Sequence, residues 1–336
     1  MDIYFDAPNL LSFIRSAKKD RYEDCNRMLK DNFILHFSFS KTDVPNFCED
    51  DKDDFNSWMR SMDSLKEDIR WGDKTFNVSF DPKQFEKDKG KLMSVYCLTK
   101  SQNYVNKETL LIASLGDEVD TLASLFIEGN QYTKNIFPKV KCWDDLSRYI
   151  SPASDIIVVD PYIFSAPELN KPNIYTILKV LCQKSGNKRV NIVIFTLNSV
   201  WIPEKKISIV PKWDDFYTDI RNFVKCKCKP NVTFVAVDKK VLDEHDRSIF
   251  TNYKFYSSGD TYNYFDTQGN RVTDGRWLHA HSCAEIDNAN DALAFISDLQ
   301  EIVKHINVKL RNPHLILKDK VSNFIDFNIT SDTSMS

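Results

Sequence analysis

From about Trp143 onward, apolar and polar positions follow two alternating patterns. "SDIIVVDPYIF" is an unbroken apolar run ending in Asp-Pro-Tyr, as expected of a strand buried on both faces. "NIYTILKVLCQK" has helical spacing and stops at "SGN". "RVNIVIFTL" predicts a second buried strand, "WDDFYTDIRNFVK" a second helix with acids in its first turn, and "NVTFVAV" a third strand. This β-α-β-α-β alternation predicts a parallel sheet covered on both sides. "RSIFTNY" and "TYNYFD" read as further strands, followed by a "TQGN" turn, and "ANDALAFISDLQEIVKHI" as a long amphipathic closing helix.

The first 100 residues read as a less regular mixture of helix and strand. "APNLLSFIRSAKK" and "RYEDCNRMLK" have helical apolar spacing, and "NFILHFSFS" alternates as a half-buried strand. The charged run "EDDKDDFNSWMRSMDSLKEDI" predicts a loop and then an amphipathic helix. "TFNVSF" and "LMSVYCLT" predict strands, and "GDEVDTLASLFI" a helix whose leading acids suit the helix dipole. The expected organisation is an α/β domain over residues 1–142, a second domain over 143–310, and an extension over 311–336. The polar tail "NITSDTSMS" is expected to be disordered.

Composition adds limits. An apolar content of 42% and a charged content of 28% are those of an ordinary globular protein. The chain opens "MDIYFDAPNL", with no signal pattern, and no apolar run nears the roughly 20 residues of a membrane-spanning helix. Its eight scattered cysteines read as reduced thiols, so a cytoplasmic location is expected. Cys226 and Cys228 are too close together for a C-x-x-C knuckle and no second pair answers them, so neither a metal site nor a cofactor is expected. The net charge of −3 gives no global attraction to a polyanion. From Asp145 onward, however, 24 basic residues face 23 acids, and Arg221 to Lys240 holds six basic residues against one acid. That local excess also fits a solvated helix end.

Chemistry concentrates in "DEHDRSIFTNYKFYSSGDTYN", residues 243–263. As spacing it is His245-x-Arg247, four residues, Asn252, six residues, Gly259-Asp260-x-x-Asn263. Its position after the third strand suits a ligand site, because such sheets bind ligands beyond the carboxyl ends of their strands. The spacing resembles the phospholipase D superfamily signature, H-x-K, four residues, D, six residues, G-S-x-x-N, and every interval agrees. The resemblance covers roughly residues 145–310. It implies a phospholipase D-like mixed sheet flanked by helices on both faces, preceded by the smaller N-terminal α/β domain. It also implies a metal-independent phosphodiesterase, with nucleic acid as the substrate suggested by analogy. By position His245 is the nucleophile that forms a phosphohistidine. Arg247, Gly259 and Asn263 are the phosphate ligands. Asn252 takes the place of the family's acid, at the far end of the same strand, and completes the catalytic set.

Three departures bear on turnover. Arg247 replaces lysine and still clamps phosphate in a planar, bidentate way. Asn252 cannot carry the acid's charge, and Asp260 brings a negative charge where the family has a hydroxyl. The sequence resembles the H-D-R branch of the superfamily, found in uncharacterised bacterial proteins and in some eukaryotic membrane-binding modules. That suggests bacterial antiviral defence as one setting. With one motif per chain, a homodimer bringing two copies of His245 together is implied. The alternatives are an inactive module that binds nucleic acid, nucleotide or lipid phosphate, and a dimeric scaffold; a protein partner would then use the N-terminal domain. His279 and His281 read as alternating on a strand, one inward and one exposed. Asp160 and Tyr162 read as a turn with a packed ring, and the tyrosines at 253, 256, 262 and 264 as sheet packing before base stacking. His36 and His314 have no supporting context.

Overall fold

The computed structural model describes residues 2–16, 22–62, 69–72, 94–99, 111–126, 140–185, 189–202, 207–242, 247–272, 278–308 and 318–327. The first unit runs β1 (Asp2–Phe5), α1 (Ala7–Arg15), α2 (Tyr22–Asn32), β2 (Ile34–Phe37), α3 (Glu49–Ser61), β3 (Ile69–Trp71), β4 (Ser94–Cys97), β5 (Leu111–Ala113) and α4 (Glu118–Phe126). Its five strands lie in the order β3-β2-β1-β4-β5, and each neighbouring pair is parallel. The sheet is therefore fully parallel and more regular than the sequence pattern suggests. Strands β3 and β5 are three residues long and β1 four, too short to show a period. The acid run expected as a loop instead opens α3. Glu49, Asp50 and Asp51 form its first turn, where carboxylates meet the positive end of the helix dipole. The strand expected at "TFNVSF" lies outside the described residues.

The second unit begins with a short 3-10 helix, Trp143–Tyr149. Then come β6 (Asp155–Val159), a π-turn (Lys171–Tyr175) leading into α5 (Thr176–Leu181), β7 (Arg189–Leu197), a hairpin of β8 (Val200–Ile202) and β9 (Ile207–Ile209), and α6 (Trp213–Val224). The remainder is β10 (Lys229–Val237), β11 (Arg247–Thr251), β12 (Lys254–Ser258), β13 (Leu278–Ser282) and α7 (Ile286–Val308). The main sheet has the order β10-β7-β6-β11-β12-β13. Its first three strands are parallel, and β11, β12 and β13 each pair antiparallel with their neighbours.

Period-2 alternation shares the central strands between two cores. Ile156, Val158, Ile192, Ile194 and Phe234 pack with α5 and α6, whereas Ile157, Val159, Val193, Phe195 and Val235 pack with α7 and with Ile325 and Phe327. Helices thus cover both faces, and residues 318–327 belong to this core. Asp319 accepts from the Val232 N–H at 2.7 Å, and the Asn323 N–H donates to Asp155 at 2.7 Å. The tail from 328 lies outside the described residues.

Two local expectations are corrected. The strand after β11 is Lys254–Ser258, whereas Tyr262 and its neighbours form a loop with one bridge, Phe265 to Arg271. His279 and His281 lie two residues apart on β13, so they share a face and are both half-buried. His281 stacks on Phe255 at 4.2 Å and meets the Ser257 hydroxyl at 3.2 Å.

The turn between β11 and β12 joins the units. Tyr253 is fully buried in the core of the first unit, and the Lys254 ammonium donates to the Ser124 carbonyl of α4 at 2.8 Å. Beside it, Asn252 Oδ1 accepts from the backbone N–H groups of Ser154 (2.8 Å) and Asp155 (3.2 Å), and its Nδ2 donates to Ser154 Oγ at 3.0 Å. Burial raises the Asp155 pKa despite the bonds it accepts. Replacing Asn252 by alanine strands two buried donors, so Asn252→Ala is expected to lose about 2–4 kcal/mol in urea unfolding. Asn252→Asp should also destabilise, because it sets a second carboxylate beside Asp155. A loss below about 0.5 kcal/mol in both would show that the network does not brace the sheet.

Candidate active site

β11 runs antiparallel to β6 with Ser248 opposite Val159. That register sets Arg247 level with Asp160, at the carboxyl ends of the three parallel strands. The Arg247 guanidinium packs over the Tyr162 ring, 5.5 Å from its centroid. Asp160 is fully buried. Its Oδ1 accepts from the Tyr162 N–H at 2.9 Å, and its Oδ2 from the Thr261 hydroxyl at 2.7 Å and the Tyr262 N–H at 2.9 Å. Desolvation raises the Asp160 pKa, while these hydrogen bonds and the charge of Arg247 act against the rise.

Asp160 thereby fastens the loop that carries Asn263. The buried Asn263 Nδ2 donates to the Ile163 carbonyl at 3.3 Å, and its Oδ1 has no hydrogen-bond partner among the described residues. The loop is pinned further along by Asn173, whose Nδ2 donates to the Phe265 carbonyl at 2.7 Å and whose Oδ1 accepts from the Trp143 indole at 2.9 Å. Trp143 stacks on Tyr264 at 5.3 Å. The tyrosines at 253, 256, 262 and 264 are all buried and serve packing.

Of the residues expected in the site, Arg247 and Asn263 each meet the segment after β6, at the Tyr162 ring and the Ile163 carbonyl, and Gly259 is exposed at the turn after β12. Asn252 does not join them: it lies five residues along from Arg247, roughly 16 Å at strand rise, at the opposite end of β11. It acts there as a brace through backbone N–H groups, which need an acceptor and not a charge. His245 lies outside the described residues. Asp160 is the group the pattern undervalued; its place at the end of β6 was the signal, since loops at that edge carry ligands.

A cleft of about 820 Å³ opens at the same edge. It is lined by Tyr162 after β6, Asn198 and Trp201 after β7, and Asp238, Lys239 and Lys240 after β10. Asp238 is held by the Asn198 amide at 2.7 Å, while Trp201 is exposed. Tyr162 is the wall shared by this cleft and Arg247. Among the described residues no group of three His, Cys, Asp or Glu side chains is placed to hold a metal ion, and no helix is long and apolar enough to cross a membrane.

The first unit has a polar network of its own, at the carboxyl ends of β1 and β4 where the strand order reverses. Asp6 caps α1 through the Asn9 N–H at 3.0 Å and accepts from the Thr99 N–H at 2.7 Å. Glu118 accepts from the Ser12 hydroxyl at 3.1 Å and the Gly116 N–H at 3.0 Å, and burial raises its pKa. Every carboxylate oxygen there accepts a neighbouring donor, so the network braces α1 and α4. Compared with known proteins, the chain matches no family model, no curated protein and no solved structure.

The Asp160→Asn variant removes one acceptor, and a loss of about 1–3 kcal/mol is expected. The folded pKa of Asp160 lies above its unfolded value. Its contribution is therefore fully present below about pH 3.9 and is lost as pH rises through the folded value. Urea melts should show wild type losing stability relative to Asp160→Asn as pH rises above the ordinary carboxylate range. A constant difference would mean that the carboxyl is not perturbed.

Proposed function

We propose that the second unit is a phospholipase D-like domain that holds a phosphodiester at the carboxyl ends of β6, β7 and β10 and cleaves it without a metal. His245 attacks phosphorus, forming a P–N bond as the bond to the leaving oxygen breaks. A second histidine protonates that oxygen, and water then hydrolyses the phosphohistidine. Arg247 and Asn263 hold the oxygens on which charge accumulates. The observation that supports the reading is the register of β11, which puts Arg247 level with Asp160 and against Tyr162, whose ring in turn lines the cleft. Lys239, Lys240 and the exposed Trp201 on the cleft favour nucleic acid, offering cations to the backbone and a ring to a base. The second histidine comes from another copy of the chain, across a twofold axis.

A second reading, a phosphate-binding module without turnover, is favoured by Asp160, whose field already opposes part of the Arg247 charge. Hydrolysis of bis(p-nitrophenyl) phosphate and of single- and double-stranded DNA and RNA separates the two. The expected outcome is EDTA-resistant turnover, lost about a thousandfold or more in His245→Ala. A folded wild type that hydrolyses none of these, yet binds heparin in a salt-sensitive way that Arg247→Ala weakens, would replace cleavage by binding. Light scattering at micromolar concentration should give twice the chain mass; an active monomer would remove the twofold pairing from the mechanism.

A further inference from the structure

A second pocket, of about 810 Å³, lies across Ser165 from the cleft. Its walls are the segment from Phe164 to Asn170, the π-turn, the outer face of α6, and Ile209 to Lys212 after β9. We infer that this pocket takes the heterocyclic base of a nucleotide whose phosphate sits in the adjoining cleft, an inference that rests on the phosphate site proposed above.

Four observations lead there. The volume is that of a small-molecule site. Its lining is largely apolar and aromatic: Phe164 and Phe216 are stacked at 4.4 Å, Tyr175 and Phe223 lie 6.0 Å apart, and the exposed Ile209 and Val210 stand at the mouth. Such a slot suits a flat ring and leaves apolar surface uncovered when empty. The charges balance, Lys171 and Lys212 against Asp215 and Asp219, so the part of the ligand held here is uncharged. A quaternary ammonium would call for a net negative aromatic cage instead.

The fourth observation is Asn170. It lies in the pocket wall at 1% exposure, and among the described residues neither its amide nitrogen nor its side-chain oxygen has a hydrogen-bond partner. Burial, with Asp219 adding to it, keeps the Tyr175 phenol protonated; the Asn170 amide acts against that rise without meeting the hydroxyl in hydrogen-bond geometry. A buried amide with both functions unspent is costly unless something arrives to use them. A donor and an acceptor side by side match the edge of a nucleobase, as asparagine does with adenine. Because Ser165 lines both spaces, base and phosphate of one nucleotide fall on the two sides of a single residue.

Calorimetry on the full chain tests this with the four nucleoside 5′-monophosphates, ribose 5-phosphate, adenosine, inorganic phosphate and phosphocholine. At least one nucleotide should bind about tenfold or more tightly than ribose 5-phosphate. Asn170→Ser and Val210→Arg should each erase that advantage and leave ribose 5-phosphate unchanged. Val210 is exposed, so its variant guards against a folding defect at Asn170. Arg247→Ala should weaken nucleotide and ribose 5-phosphate alike. Equal affinity for nucleotides and ribose 5-phosphate overturns the base pocket and leaves the phosphate site standing. Adenosine binding that depends on Asn170, without binding of any phosphate, keeps the pocket and overturns the phosphate site. Phosphocholine binding more tightly than every nucleotide overturns the base assignment, and binding of nothing overturns both.

Discussion

The buried carboxylate of Asp160 is the constraint on which the second unit's functional edge depends. A carboxylate fully removed from water is costly, and burial raises the Asp160 pKa, while two backbone N–H groups, a hydroxyl and the field of Arg247 act against that rise. Those contacts come from three separate parts of the chain: the turn after β6, the start of β11, and the loop after β12. The carboxylate converts three strand ends into one surface. The same loop is held as well by the Asn263 amide on the Ile163 carbonyl, the Tyr262 hydroxyl on the Arg247 and Tyr256 carbonyls, and the Asn173 latch further along.

The sequence pattern was most legible where strands are long and buried on both faces. The predicted "RVNIVIFTL" coincides with β7, and β10 exceeds its prediction by two residues. Short strands were illegible, because three residues of β3 or β5 carry no periodicity and form only beside strands that sequence proximity does not announce. The hairpin was half legible. "RSIFTNY" marked β11, but the aromatic richness of "TYNYFD" drew the start of the second strand seven residues too far, and that segment is a loop tied to Asp160 through the Thr261 hydroxyl and the Tyr262 N–H. The spacing from Arg247 to Asn263 joins two residues that each meet the segment after β6, at Tyr162 and at Ile163, while Asn252 lies at the other end of β11. The resemblance set Asn252 at the far end of the strand from Arg247, and it lies just past the end of β11.

That separation also gives a physical account of one departure from the superfamily signature. At the Asn252 position the partners are two backbone N–H groups and a serine hydroxyl, with Asp155 alongside. An amide supplies the acceptor without adding a second buried negative charge. The asparagine at position 252 therefore concerns the stability of the sheet's far end, away from Arg247 and Asn263.

The hairpin of β11 and β12 has a consequence for how this molecule can be divided. One end of it carries Arg247; the other inserts Tyr253 into the first unit's core and presses Lys254 against the carbonyl of Ser124. Cutting the chain near residue 142 would strip an aromatic ring and an ammonium of their surroundings at once, leaving a sticky, charged wound on the excised piece. The two units thus share a buried seam, and the five residues of β11 are all that separate that seam from the strand end where Arg247 packs on Tyr162.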